Sequence, residues 1–443
     1  MENELIRASE NRDYATVKKH LANMNVVDIA EALEEMKEPI SLIVFRMLPK
    51  DAAAEVFAYL PSDVQQGIVE AISDREINAI VEEMFLDDAV DFIEEMPSNV
   101  VKRVLATVPA DRRDMINSLL QYPEDSAGSV MTVEYVALKL GCTVREAFAY
   151  IRKTGVDKET IYTCYVIDQS RHLMGTVSAL TLLLSDLEDK VDDIMDTRVV
   201  FTKTTEDKES LTNDFRKYGL LAMPVTDGEN RLVGIITVDD VLTVQKEEAT
   251  EDFQIMAALS PSEEPYLKTS VWKHSANRLP WLLLLMLTAT ITGSIISGFE
   301  DALAKMAILV TFIPMLMDTG GNAGSQSSTL VIRGIALEEL APLDTLRVLW
   351  KELRVALLCG GALSIVNFCR ILIMDHNSTV ALGVSLALYI TVVIAKTTGC
   401  LLPLIAKRLK LDPAVMASPL ITTIVDACAL IVYFALSSAI FGI

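Results

Sequence analysis

The chain has 443 residues and a formal net charge of −22, with 61 acidic and 39 basic side chains. That balance has the wrong sign for a nucleic-acid partner, whose phosphates are neutralised by Lys and Arg. The charge is also uneven: residues 1–270 hold 51 acids and 27 bases, whereas residues 271–443 hold 10 and 12, so an acidic, water-facing part precedes a nearly neutral apolar one. Six scattered Cys without a CxxC pair read as reduced thiols, and four His with no ligand-like spacing argue against zinc. The charged start "MENELIRASE" has no apolar core, so no cleavable signal peptide is expected.

Residues 1–125 are expected to form an acidic helical-repeat domain. Segments starting at Asp28, Asp51, Asp63, Glu76, Asp88, Asn99 and Asp111 each open on a capping or acidic residue and carry apolar residues at helical spacing. From Asp51 onward the starts fall 11 to 13 residues apart, which predicts short stacked helices, an α-superhelix. Residues 126–250 change period and contain a duplication. "YVIDQSRHLMGTVSALTLL" from Tyr165 aligns with "PVTDGENRLVGIITVDDVL" from Pro224, pairing Asp168 with Asp227 and Gly175 with Gly234. Both halves read strand, Asp turn, strand with Gly, helix, and resemble tandem CBS repeats that pair into one α/β module. Such modules usually sense ligands, often adenine nucleotides, so the pair is a candidate nucleotide site. Residues 251–278 read as a linker: its start continues the last CBS helix, Pro261 and Pro265 break it, and the rest suits a connecting helix along the membrane's inner face.

Residues 279–443 are the membrane part, inserted in a lipid bilayer. Apolar runs at about 279–299, 302–332, 348–371, 378–406 and 413–442 predict a polytopic α-helical protein with five spans. Bases gather before the first span (Lys268, Lys273, Arg278), between the second and third (Arg333, Arg347, Lys351, Arg354) and between the fourth and fifth (Lys407, Arg408, Lys410). The positive-inside rule then places the N-terminus in the cytoplasm and the C-terminus outside.

Two features break the apolar pattern. "IPMLMDTGGNAGSQSSTLVIRG" puts Pro314, Asp318, Gly320, Gly321, Asn322, Gly324 and Gln326 at or near membrane depth. Small residues allow close helix crossings, and the amides require a partner helix or water; both a tight crossing and a pore lining remain open. The second feature is Asp426, the one charged side chain after Asp412. A carboxylate at a helix centre costs about 2.5–3.5 kcal/mol on the insertion scale, and such acids usually mark an ion path. Lys396 in the fourth span is the one base able to pair with it inside the membrane; there it would repel cations, so it is expected to point elsewhere. "LDPA" reads as a helix start with Asp412 at N-cap and Pro413 at N1. A continuous helix would put Asp426 about 21 Å further on and on the same face, with a bend at Pro419 freeing a carbonyl and Ser418 and Thr422 lining the same path. Oxygen ligands without Cys or His favour Mg²⁺ or Ca²⁺. A two-fold dimer would bring two such acids to one axis.

Over nearly its whole length the sequence resembles the MgtE family of magnesium channels or transporters. The residues that carry the resemblance are "YPEDSAGSVMT", "TGGNAGSQSSTLVIRG" and "LDPAVMASPLITTIVDACAL". The resemblance implies a homodimer that passes Mg²⁺ along an axial pore, with Asp426 at the ion-binding position. Ser418 stands where the family often has Asn. It also implies regulatory Mg²⁺ bound between the cytosolic parts, at positions matching Asp87, Asp91, Asp207, Asp240, Glu248, Glu251 and Asp252. The expected mechanism is negative feedback: bound Mg²⁺ draws the acidic domains together and holds the pore shut. Rival readings are a carrier of Ca²⁺, Co²⁺ or Mn²⁺, a proton-coupled carrier, a membrane-anchored nucleotide sensor without flux, and an intramembrane aspartyl protease using Asp318 and Asp426. "TTIVDAC" lacks the glycines that such proteases place before their Asp, so no enzymatic activity is expected.

Overall fold

A computed structural model describes the chain except residues 263–265, 301–306, 338, 417 and 442–443, and the side chains of residues 307, 342, 418 and 441 also lie outside the described set. Contacts group the chain into two units, Met1–Gln245 and Lys246–Ile443.

The first unit opens with helices α1 (Glu2–Glu10), α2 (Tyr14–Leu21), α3 (Val26–Glu35), α4 (Glu38–Phe45), α5 (Lys50–Ala58), α6 (Ser62–Ala71), α7 (Asp74–Glu83), α8 (Leu86–Glu95), α9 (Ser98–Thr107) and α10 (Ala110–Leu119). Every one of them begins 12 residues after the one before. The repeat foreseen from Asp51 therefore runs back to Glu2, through three helices (α1, α2 and α4) that the sequence pattern did not reveal. The period is a helix of eight to ten residues plus a short turn. Pro49, Pro61, Pro97 and Pro109 stand just before four of the helices, and Ser73 with Glu76 forms a capping box at α7. Buried positions keep the period: Leu33, Phe45, Phe57, Val69, Val81 and Ile93 form one column, and Val44, Val56, Ile68, Ile80, Phe92, Val104 and Ile116 another. Stacking neighbours is what gives each short amphipathic helix an apolar cover.

Two similar three-stranded sheets follow. In the first, β1 (Ala137–Lys139) runs parallel to β2 (Thr163–Ile167), which pairs antiparallel with β3 (Leu173–Ser178). In the second, β4 (Thr202–Lys203) runs parallel to β5 (Ala222–Thr226), which pairs antiparallel with β6 (Leu232–Thr237). The expected duplication holds at the level of register, with Val166 opposite Gly175 and Val225 opposite Gly234. The two glycines also do the same job. A Cβ on Gly175 would fall 2.7 Å from Met195 Sδ, and one on Gly234 would fall 2.6 Å from Met131 Sδ. Helices α11 (Val144–Thr154), α12 (Ala179–Leu184), α13 (Val191–Ile194), α14 (Lys208–Tyr218) and α15 (Val238–Met256) complete the module. One core joins it to the helical stack, since Val104, Ile116 and Leu119 share a cluster with Met131, Phe215, Met223 and Ile236.

As expected, the last CBS helix continues into the linker, and α15 runs to Met256. The chain then turns at Ala258, which has φ of +55°, ahead of Pro261; Pro265 lies outside the described residues. Among the described residues, no separate connecting helix follows. Val271–Arg278 instead form the first two turns of α16 (Val271–Gly298), capped by Ser270. The capping serine starts the helix early, and Pro280 is absorbed inside it.

The second unit continues with α17 (Ile313–Ala336), α18 (Thr345–Asp375), α19 (Ser378–Arg408) and α20 (Ser418–Phe441). Among the described residues, four helical segments are long and apolar enough to cross a membrane: Val271–Gly298, Thr345–Asp375, Ser378–Arg408 and Pro413–Ile440. α17 falls short because its polar and small residues lower its hydropathy, although 24 residues give it about 36 Å of length. It packs against both α19 and α20. Its helical start at Ile313 puts Pro314 in the first turn, where a missing N–H does no harm.

Candidate functional site

In the first unit, acids collect where the helical stack meets the CBS module. The tie is made by Glu134, whose carboxylate accepts from the Leu86 N–H at the start of α8 at 2.9 Å. A carboxylate from the other domain thus takes the role of an N-cap, favoured by the positive end of the helix. Asp87, Asp88 and Asp91 follow on α8, and Asp239 and Asp240 open α15. Asp240 is held in place by the Thr237 hydroxyl at 2.6 Å. Glu159 joins them, its backbone N–H bonded to the Glu134 carbonyl at 2.9 Å.

Burial raises the Asp87 carboxyl well above the usual range, and the Asp240, Asp88 and Glu159 charges raise it further. Burial, then Asp240, Glu134 and Asp239, push Asp88 to about 6. Asp91 keeps solvent on one side, yet protein atoms around it and the Asp240 charge push it to about 7. Glu159 rises to about 7 through burial, Asp240 and Asp239, and one of its oxygens, Oε2, is buried without a hydrogen-bond partner. Burial also raises Asp240, against the lowering hydrogen bond from Thr237. The charged neighbours that act most on each of these groups are themselves carboxylates. Such a cluster is relieved by protons or by a hard cation, and all-oxygen ligation suits Mg²⁺ or Ca²⁺.

Three of the regulatory positions expected from the sequence, Asp87, Asp91 and Asp240, therefore meet. Asp207 does not join them. It caps α14, accepting from Glu209 N–H at 3.0 Å, and pairs in a bridge with Ser126. Glu248, Glu251 and Asp252 lie on the later turns of α15, within the second unit. Sequence reasoning missed Asp88, Asp239, Glu134 and Glu159. The first two adjoin expected residues, but the glutamates sit in loops without motif or period.

In the second unit, the glycines of α17 are crossing points. A Cβ on Gly320 would meet Thr391 and Val425, one on Gly321 would meet Thr422, and one on Gly324 would meet Ile421. The closest approach is Gly399 of α19, where a Cβ would fall 2.3 Å from the Gly324 carbonyl oxygen. Backbone touches backbone there, and no other residue fits. These three glycines of α17 thus sit at close helix crossings. The opposite stripe is polar and open: Pro314, Asp318, Asn322 and Gln326 are exposed at four-residue spacing. Asp426 on α20 is half-buried, and Asp318 lies within electrostatic reach of it.

Among the described residues, the turn that follows Asp412 is 3₁₀ and not the first turn of the expected α-helix. Asp412 Oδ1 accepts from Ala414 N–H at 2.7 Å and caps a 3₁₀ turn, Pro413–Met416; residue 417 lies outside the described residues, and α20 runs from Ser418. Pro419 is the second described residue of α20, and its carbonyl accepts from the Thr422 and Thr423 hydroxyls at 3.0 and 3.1 Å. The side chain of Ser418 lies outside the described residues. Lys396 points away from Asp426, as expected, and donates to Ser327 Oγ at 3.4 Å.

Residues 313–436 match the MgtE family described as divalent cation transporters, residues 24–125 the MgtE intracellular N domain, and residues 191–247 the CBS domain. The class is thus a divalent cation transporter of the membrane with a cytosolic CBS-containing region. The chain is 34% identical over 437 residues to the magnesium transporter MgtE of Thermus thermophilus, covering 98% of this chain and 97% of that one. It is 32% identical over 435 residues to the magnesium transporter MgtE of Bacillus subtilis, covering 98% and 95%. It belongs to the MgtE family of magnesium transporters. A crystal structure of the cytosolic domain of the Mg²⁺ channel MgtE in complex with ATP matches 55% of this chain and 100% of its own, with TM-score 0.53 and 33% identity. The soluble part of a magnesium transporter matches 56% and 98%, with TM-score 0.52 and 26% identity.

Proposed function

We propose that this protein conducts Mg²⁺ into the cell as a homodimer and is closed by Mg²⁺ bound to its acidic cytosolic region. The observation that carries the regulatory part is the seam of Asp87, Asp88, Asp91, Glu134, Glu159, Asp239 and Asp240, in which acids face acids. A divalent ion that bridges them binds the docked arrangement better than the separated one, and only such a difference shifts an equilibrium. Asp207, Glu248, Glu251 and Asp252 would hold further ions. For conduction, the open stripe of Asp318, Asn322 and Gln326 beside Asp426 supports a path completed by a second copy across a two-fold axis. α17 would be the fifth span, enclosed by its neighbours, with the N-terminus inside and the C-terminus outside. Mg²⁺ keeps several waters when bound, and two Asp426 carboxylates with amide oxygens would hold it hydrated.

The CBS module would take an adenine nucleotide, as the relative's complex suggests. A cavity of about 740 Å³ is lined by residues including Tyr135, Lys139, Tyr150 and Arg171, and Arg171 donates to the Tyr135 hydroxyl at 2.9 Å.

The test is Mg²⁺ flux in proteoliposomes over a range of cytosolic-side Mg²⁺, wild type against Asp426→Ala. The expected result is flux that falls as cytosolic-side Mg²⁺ rises, and loss of at least about 100-fold in the variant. Full selective flux in the variant would remove the claim for Asp426. Competition by Ca²⁺, Co²⁺ and Mn²⁺ in the same assay sets the selectivity. Because Asp318 lies near Asp426, a proton-sharing acid pair is the second reading; cleavage of a membrane peptide, abolished by Asp426→Asn, would establish it.

A further inference from the structure

Two charged residues of the second unit, Lys396 and Glu352, are joined through a buried hydroxyl. Lys396 lies within α19 and its side chain is 6% exposed. Its Nζ donates to Ser327 Oγ of α17 at 3.4 Å. Ser327 is fully buried and donates its own proton to Glu352 Oε2 of α18 at 2.7 Å. An ammonium has no acceptor and a carboxylate no proton to give, so the direction runs from Lys396 through the hydroxyl to Glu352. The chain is neutral overall and ties three helices. Removing Glu352 would leave the buried Lys396 charge without compensation, and removing Lys396 would leave the half-buried Glu352 without its counter-charge.

Its position matters more than its strength. Ser327 is one turn beyond Gly324, and Lys396 one turn before Gly399, so the chain stands beside the closest backbone crossing of the unit. The next residue of α17, Ser328, is also fully buried and donates to the Met416 carbonyl at 2.9 Å. Met416 ends the 3₁₀ turn that precedes α20, the helix that carries Asp426. Two consecutive hydroxyls, about 100° apart around α17, thus reach a charge pair on one side and the base of the Asp426 helix on the other.

We propose that Lys396, Ser327 and Glu352 are positioning residues for ion passage. Their neutral chain fixes the seat of α17, and α17 through Ser328 fixes where α20 begins. This rests on the reading of Asp426 as part of the path.

The experiment measures Mg²⁺ flux of the full chain in proteoliposomes, per amount of folded, monodisperse protein. Ser327→Ala and Lys396→Met are each expected to lower maximal flux at least tenfold. Because Lys396 acts through Ser328, the double variant K396M/S328A should be no lower than K396M by more than twofold. The swapped pair K396E/E352K, which restores a neutral chain through Ser327, should recover flux to within threefold of wild type. Ser327→Ala keeps both charges and serves where K396M fails to fold. Wild-type flux in folded S327A, or independent losses that multiply in K396M/S328A, would overturn the proposal and leave only a staple of the fold. Asp426→Asn is run alongside. Its loss of flux with full flux in S327A overturns the positioning chain alone. Full flux in Asp426→Asn with loss in S327A overturns the reading of Asp426, and with it the link to α20.

Discussion

The two units handle buried charge in opposite ways. At the seam of the first, Asp87, Asp88, Asp91, Glu159 and Asp240 act on one another without a base among their strongest neighbours. In the second, Lys396 and Glu352 are balanced through a single hydroxyl. Two further acids, Asp318 and Asp426, lie on or beside an open polar stripe and within electrostatic reach of one another. An unbalanced cluster responds to ions because each added cation changes its energy strongly, whereas a balanced chain is insensitive to them. The difference separates parts that respond from parts that hold.

The largest test of that separation, after Asp426 itself, neutralises the responding side. Asp87, Asp91, Asp240 and Glu251 changed together to Asn or Gln should raise the Mg²⁺ needed for half-closure at least tenfold, read as flux against cytosolic-side Mg²⁺. Unchanged inhibition would show that the seam does not sense the ion. A second test addresses the holding side. Gly399→Ala places a methyl where the Gly324 carbonyl oxygen stands, and the folded, monodisperse yield in detergent should fall several-fold with no change in the Mg²⁺ dependence of whatever protein remains. A shifted Mg²⁺ dependence would blur the distinction.

The smallest effect is on pH. A carboxyl raised in the folded state from the usual value near 4 to about 6 or 7, as for Asp88, Asp91 and Glu159, binds protons more tightly folded than unfolded. Stability then falls as pH rises from about 4 to about 7 and is lowest above that window. With divalent ions chelated, the thermal midpoint of the cytosolic transition should be a few degrees higher at pH 5.5 than at pH 8. Added Mg²⁺ should shrink or reverse that difference by replacing the protons. Equal midpoints at both pH values without Mg²⁺ would mean that the acids are not crowded in solution.

Much of this arrangement could be read in the sequence. The duplication separating Asp168 from Asp227 showed both sheets, because a paired α/β repeat writes its turns and glycines at matching places. Asp87 and Asp91 were visible as one face of one helix. What escaped notice depended on contacts distant in sequence. Glu134 and Glu159 acquire meaning only when the CBS module meets α8. Glu352 is surrounded in sequence by Lys351, Arg347 and Arg354 and reads as part of a basic loop edge, until the fold sets it against Ser327. The 3₁₀ turn Pro413–Met416 was hidden because Asp before Pro caps a 3₁₀ turn as well as it caps an α-helix.

The twelve-residue spacing of α1 to α10 has a further consequence. A strictly periodic stack works as a ruler whose divisions are interchangeable. Inserting or deleting one whole division between α8 and the CBS module would keep the helix type and spacing while moving Asp87, Asp88 and Asp91 by one helix relative to Glu134 and Asp240. The number of divisions between α8 and the CBS module, more than the chemistry of any one of them, therefore sets which carboxylates meet across the seam.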